Sequence, residues 1–314
     1  MSNETIILYL FAGAFCVLTL ATLAGVVIEW RRGHSDSLDN FNSRTRAWGV
    51  MVLILAAAFL TGKTGTVLLF AAASGVALYE YMVLTEATRS DRLAVFVAFV
   101  FVLPLQYFLV WIGWYGLFSI FIPVYGFLVL PILSVMRADT EHFMIRISEI
   151  QWGLMLAVFC LSHVPALILI HVQGYEGRNI LLVVFLIIVV QASDVSQYLW
   201  GKLIGKHKLA PSLSPSKTVE GLVGGMATAT AIGTALWWMT PFDPMAAFGL
   251  SLVATTMGVF GGLVMSAIKR DRGVKDWGRI IPGHGGVLDR LDSVLFAAPI
   301  FFHLIRYFWS AQLP

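Results

Sequence analysis

Ile180-Leu181-Leu182-Val183-Val184-Phe185-Leu186-Ile187-Ile188-Val189-Val190 is an unbroken apolar run, entered from Arg178-Asn179 and left through Gln191, Ser193 and Asp194. A helix that crosses a bilayer needs about 20 mainly apolar residues, and the stretch 179–200 meets that length. It reads as a membrane span with Asp194 about one to two turns inside one end. The same pattern, followed outward in both directions, predicts further helices near 5–28, 47–61, 64–84, 93–112, 114–136, 149–171, 221–240, 245–268 and 288–309. The second is short and is separated from the third only by Gly62 and Lys63, so a single kinked or re-entrant element is the alternative and the count is nine or ten. The first run has no basic stretch before it, which favours a retained helix over a cleaved signal peptide.

Composition agrees with an all-α, polytopic membrane bundle. Of 314 residues, 58% are apolar and only 12% charged, about half the charge of a soluble domain, with a mean hydropathy of +0.82. A soluble enzyme, a disordered chain and a disulfide scaffold are all excluded. The two cysteines, Cys16 and Cys160, sit inside apolar runs and read as packing residues. A net charge of +3 is too mild to argue for nucleic acid as a partner. The expected organisation is a single membrane domain, with N-terminal spans over 1–190 and the chemistry over 191–314.

Basic residues are retained on the cytoplasmic side of a membrane. Under ten spans, one set of alternate loops holds 18 of the 21 Lys and Arg residues, and the other holds only Lys63, Arg178 and Arg306. Both termini are therefore expected to face away from the cytoplasm. Thr61-Gly62-Lys63-Thr64 looks like a piece of a phosphate loop, but Ala57 stands where such a loop needs glycine, and the segment reads as a turn. Glu80, inside the third span, either faces a cavity or partner or lies near the interface, paired with Arg89 or Arg92.

The last 120 or so residues carry the chemistry. Ser214-Pro215-Ser216-Lys217-Thr218 places hydroxyls and an ammonium on a stiffened turn at the start of a helix, a combination suited to phosphate. An ordinary helix cap beside a basic loop is the alternative for that stretch alone. Farther on, Lys269, Arg270, Arg272, Lys275 and Arg279 precede Pro282-Gly283-His284-Gly285-Gly286. Glycines around one histidine let backbone N–H groups approach an anion. Asp289 and Asp292 then share one helical face. Two carboxylates beside a basic, glycine-rich turn point to Mg²⁺ bridging to phosphates, with a pure capping role for the pair as the alternative.

These residues resemble the phosphatidate cytidylyltransferase (CDP-diacylglycerol synthase) family. The resemblance lies in Ser266-x-x-Lys269-Arg270, four residues, Lys275-Asp276, then the Pro-Gly-His-Gly-Gly turn and Asp289-Arg290-x-Asp292. Asp194, Gly201-Lys202 and Ser214-Pro215-x-Lys217-Thr218-x-Glu220-Gly221 are similar to upstream family positions. It implies transfer of a cytidylyl group from CTP to phosphatidate or a related lipid phosphate, with Mg²⁺ and room for a second cation. It further implies a bacterial inner membrane location, surrounding phospholipids, active loops in the cytoplasm, and compatibility with a homodimer. Asp289 and Asp292 would hold metal, with Asp194 and Asp276 as further ligands or anchors. Lys217, Lys269 and Arg270 would bind phosphate oxygens, with Ser214 and Thr218 orienting them. Lys275, Gly283, Gly285, Gly286 and Arg290 would complete the substrate site, and His284 would bind a phosphate or position a carboxylate. One departure stands out: the family's Gly-Asp-Leu, whose Asp is regarded as a metal ligand, is here Gly261-Gly262-Leu263, and Met265 replaces a following acid. A CTP-dependent lipid kinase and a paralogue that binds without turnover are the competing readings.

Overall fold

The computed structural model describes residues 3–32, 36–85, 91–136, 138–281 and 285–310. Their main elements are α1 (Asn3–Arg32), α2 (Asp36–Leu60), α3 (Gly62–Met82), α4 (Arg92–Ile112), α5 (Tyr115–Val135), α6 (Phe143–Leu169) and α7 (Ile180–Ile204). A hairpin of β1 (Lys208–Ala210) and β2 (Ser214–Thr218) follows, then α8 (Val219–Ala235), α9 (Pro244–Asp271) and α10 (Leu288–Phe308). Each apolar stretch read from the sequence is helical. Eight of the helices are long and apolar enough to cross a bilayer; the others are α2, whose apolar part is Thr45–Leu60, and the 17-residue α8. The chain is an integral membrane helical bundle.

Between α2 and α3 the chain turns at Thr61, and Gly62 takes a φ of +70°, a conformation glycine adopts without a steric penalty. The two helices pack on one another and share one cleft, lined by Met51 and Leu55 of α2 and Phe70 and Ala73 of α3, so they form a hairpin rather than one kinked element. In α4 and α5 the helical turn widens at Ala98–Val102, just before Pro104, and at Phe121–Gly126, around Pro123. Proline lacks the N–H that would close the tighter turn.

At one end of the bundle Arg146 of α6 is buried beside Asp91, which precedes α4, with Nε 2.8 Å from Oδ2. Ser134 of α5 donates to the other oxygen of Asp91, so one ion pair ties three helices together. A buried charge persists only when paired and hydrogen-bonded in this way.

The C-terminal helices α7 to α10 pack on one another, with Leu181 to Leu186 of α7 in the core. Where α8 crosses α7, a Cβ at Gly221 or Gly225 would collide with the α7 backbone at Gln197. Small residues permit that close crossing, and it brings the end of β2 beside Asp194. The hairpin pairs Lys208 with Thr218 and Ala210 with Ser214. Thr218 then caps α8, its Oγ1 accepting from the N–H of Gly221 at 3.1 Å.

Candidate active site

Asp289, in the first turn of α10, has both carboxylate oxygens engaged at the basic end of the bundle. Its Oδ2 accepts the backbone N–H groups of Trp277 (2.8 Å) and Gly286 (2.9 Å), and its Oδ1 lies 2.7 Å from Lys269 Nζ in the last turn of α9. The carboxylate thus ties Trp277 and Gly286, which lie between α9 and α10, to both helices. Lys269 is well placed for a cation at a helix C-terminus.

Asp194 of α7 and Asp292 of α10 form a second acidic centre. Ser293 Oγ is within 3.2 Å of Asp194 Oδ1 and 3.5 Å of Asp292 Oδ1, so the two carboxylates share one hydroxyl. Lys217 and Arg290 act electrostatically on both acids, and Lys269 on Asp292 as well. Gly262 of α9 faces this centre: a Cβ there would lie 3.3 Å from Lys217 Nζ and 3.5 Å from Ser293 Oγ. The position at which the resemblance expects an acid therefore borders the acidic pair and its ammonium. Among the described residues no group of three or more His, Cys, Asp or Glu side chains is arranged to hold a metal.

Two polar cavities meet at Asp194, Asp289, Arg290 and Asp292. The larger, about 650 Å³, is also lined by Lys275, Asp276, Arg279 and Gly285; the smaller, about 380 Å³, by Lys202, Ser216, Lys217 and Thr218. A third cavity of about 810 Å³ is apolar and runs between α2, α3, α7 and α10. It meets the larger polar cavity at Trp48, Gln191, Ile281 and Arg290.

Of the residues expected from the sequence, Asp194, Lys217, Thr218, Lys275, Asp276, Gly285, Asp289, Arg290 and Asp292 line these polar cavities. Lys269 stands behind Asp289, and Gly286 contributes its N–H to that acid. Ser214 and Arg270 line neither polar cavity. Ser214 pairs across the hairpin, and Arg270 bridges the carbonyls of Leu213 (3.3 Å) and Val274 (3.0 Å), joining hairpin to loop. Gly283 and His284 lie outside the described residues, as does Arg89.

Glu220 anchors the approach to the hairpin. It bonds the ring of His207 at 2.6 Å and accepts the N–H groups of Lys206 and His207. The His207 contact leads in holding its carboxyl well down, at about 2.

Trp48, Gln191 and Glu80 were not marked as site residues by their spacing. Trp48 and Gln191 are ordinary residues in apolar helices until the fold brings them to the cavity junction. For Glu80 the one available signal was a carboxylate at membrane depth; its partners are the backbone N–H groups of Val287 and Leu288.

Comparison of the sequence with known proteins places the chain in a family. The family model of the Cytidylyltransferase family covers residues 42–308. The chain is 38% identical over 300 residues to the uncharacterized protein YnbB of Escherichia coli (strain K12), covering 94% of this chain and 97% of that one. It is 38% identical over 158 residues to a phosphatidate cytidylyltransferase of Staphylococcus aureus (strain COL), and 39% over 160 residues to one from Staphylococcus saprophyticus. Each staphylococcal match spans 49% of this chain and 61% of the relative. With a family match running from α2 to the end of α10 and polar cavities built from the residues of the C-terminal motif, this chain belongs to the cytidylyltransferase family of membrane nucleotidyltransferases.

Proposed function

We propose that the protein transfers a cytidylyl group from CTP to phosphatidate or a closely related lipid phosphate, giving CDP-diacylglycerol and pyrophosphate. The observation that carries this reading is the junction of an apolar cleft between spans with polar, cation-lined cavities at Arg290. A molecule that is apolar along most of its length and anionic at one end fits that junction. With the basic end of the bundle in the cytoplasm, the protein would work at the cytoplasmic face of a bacterial inner membrane, where CTP is available.

A phosphate oxygen of the lipid attacks the α-phosphorus of CTP; the new P–O bond forms as the bond to the β-phosphate bridging oxygen breaks, and pyrophosphate carries the electron pair away. The lipid phosphate is already an anionic nucleophile, so no strong base is required. The protein's task is to relieve anion repulsion and align the attack. Lys217, Lys275 and Arg290 face the cavities where phosphates would lie, with the Thr218 region at the start of α8. Asp292 and Asp194 fit a divalent cation, because Mg²⁺ takes one or two carboxylates and completes its shell with water and substrate oxygens. Bound there, Mg²⁺ would supply charge neutralisation. Asp289, with both oxygens engaged, holds the loop and adds a ligand only by exchanging a present partner.

Purified protein in detergent, given labelled CTP, phosphatidate and Mg²⁺, is expected to form labelled CDP-lipid and pyrophosphate, and D292A is expected to abolish it. CDP as the second product would identify a lipid kinase instead. Gly262 favours the second reading, binding without turnover: CTP binding by a wild-type protein that makes no product would establish it.

A further inference from the structure

We infer that Glu80, in the N-terminal half of the chain, is a positioning residue for the active site: it caps α10 from another helix and thereby fixes Asp289 and the residues that bond it, Gly286 and Trp277. The inference rests on the nucleotidyl-transfer reading for its effect on turnover, but the anchoring itself stands on geometry alone.

The first amides of any helix lack acceptors within it. At the start of α10 the residue in the capping position is Val287, whose side chain cannot accept a hydrogen bond. Glu80 supplies what the local sequence lacks. Its Oε1 accepts the N–H of Val287 at 3.0 Å and its Oε2 the N–H of Leu288 at 2.8 Å. Both bonds are charge-assisted, and an anion at a helix N-terminus is favoured by the helix dipole. Glu80 is only 4% exposed and lines none of the three large cavities, so it does not reach substrate.

The surrounding loop is shaped to receive this carboxylate. A Cβ at Gly278 or at Gly286 would collide with it, so two glycines clear the space it occupies. Gly286 is also a donor to Asp289, so the two capped residues, Val287 and Leu288, lie in the chain directly between that donor and the acid it bonds. The next residue of α3, Tyr81, stacks on Trp277 with ring centroids 5.4 Å apart, and the N–H of Trp277 is the other backbone donor to Asp289. Glu149 of α6 pairs with Arg272 at the start of the same loop. Two N-terminal spans therefore grip the loop at three places, and two of those grips act on groups that bond or adjoin Asp289.

The test compares wild type, E80Q and E80A, with Gln106→Leu, a buried change remote from the site, as a control for general destabilisation. Hydrogen exchange at the amides of residues 286–289 is measured beside kcat and KM. In E80A, exchange at 287 and 288 is expected to rise about tenfold or more, and kcat to fall about tenfold with the lipid KM little changed, since a half-buried and a buried donor lose their acceptor. E80Q retains one acceptor oxygen and is expected to fall between E80A and wild type on both measures. Folded E80A with wild-type exchange at 287 and 288, or a kcat loss no larger than that of the control, would overturn the proposal. Absence of turnover in the wild type would instead overturn the functional reading, and the exchange measurement would still decide whether Glu80 holds the helix.

Discussion

Lys269 Nζ stands 2.7 Å from Asp289 Oδ1, and the two side chains are only 11% and 4% exposed. Desolvating two charges is offset only when each has its partner, so removing one leaves the other uncompensated. Lys269→Ala is therefore expected to lower stability by about 3–5 kcal/mol, whereas Lys269→Arg keeps the charge and loses less. Thermal unfolding in detergent measures both. Equal losses in the two variants would show that charge at this position is not what matters.

Gly262 borders Lys217 and Ser293 at the acidic centre. Gly262→Asp adds a carboxylate beside Asp194 and Asp292 that Lys217 can partly neutralise. Its expected effect is a tighter divalent cation, read directly by Mn²⁺ binding and by the Mg²⁺ dependence of turnover. Unchanged affinity in a folded variant would mean that the geometry at Gly262 does not reach the bound ion.

Ala73 of α3 lines the apolar cleft. Ala73→Phe places a ring in the volume assigned to acyl chains, so the KM for phosphatidate should rise by about tenfold, the scale of one or two lost methylene contacts. The KM for CTP should hold. A parallel rise in both constants would argue against separate lipid and nucleotide compartments.

The Glu220 carboxyl is held down to about 2 from an ordinary 4.5, led by the His207 ring. A carboxyl whose value is lowered on folding stabilises above its unfolded value, and the contribution is lost as pH falls through the folded one. Protection of the Lys206 and His207 amides, corrected for intrinsic exchange, should therefore stay level from neutral pH to 4.5 and then decline toward about 2. Complete loss by 4.5 would contradict the contact.

Much of the architecture was legible because a bilayer imposes a simple rule on sequence: a span must be long, apolar and internally hydrogen-bonded. That rule placed the apolar part of each long helix among the described residues, including Ile180–Ile204, while the polar start of α2 from Asp36 and the relation of α2 to α3 at the left-handed Gly62 came only from the structure. The residues of the site were legible for a different reason. Asp289 and Asp292, Lys275 and Asp276, and Lys217 and Thr218 are local clusters whose chemistry is visible in a few consecutive positions.

Division of labour among those residues was not legible. Sequence spacing makes Asp289 and Asp292 equivalent partners on one face, but packing gives Asp289 a lysine 20 residues away and two loop amides, while Asp292 meets Asp194 from another helix through Ser293. Arg270 looks like a phosphate ligand in its basic run, yet its guanidinium holds the hairpin turn to the loop. Glu80 reaches its partner Leu288 across 208 positions. Periodicity and local motifs report what one helix or turn requires of its own residues. Which acid takes the lysine and loop amides and which meets an acid of another helix depends on where separate helices cross, and that is decided by close packing at contacts such as Gly221 and Gly225 on α7 and Glu80 against Gly278 and Gly286.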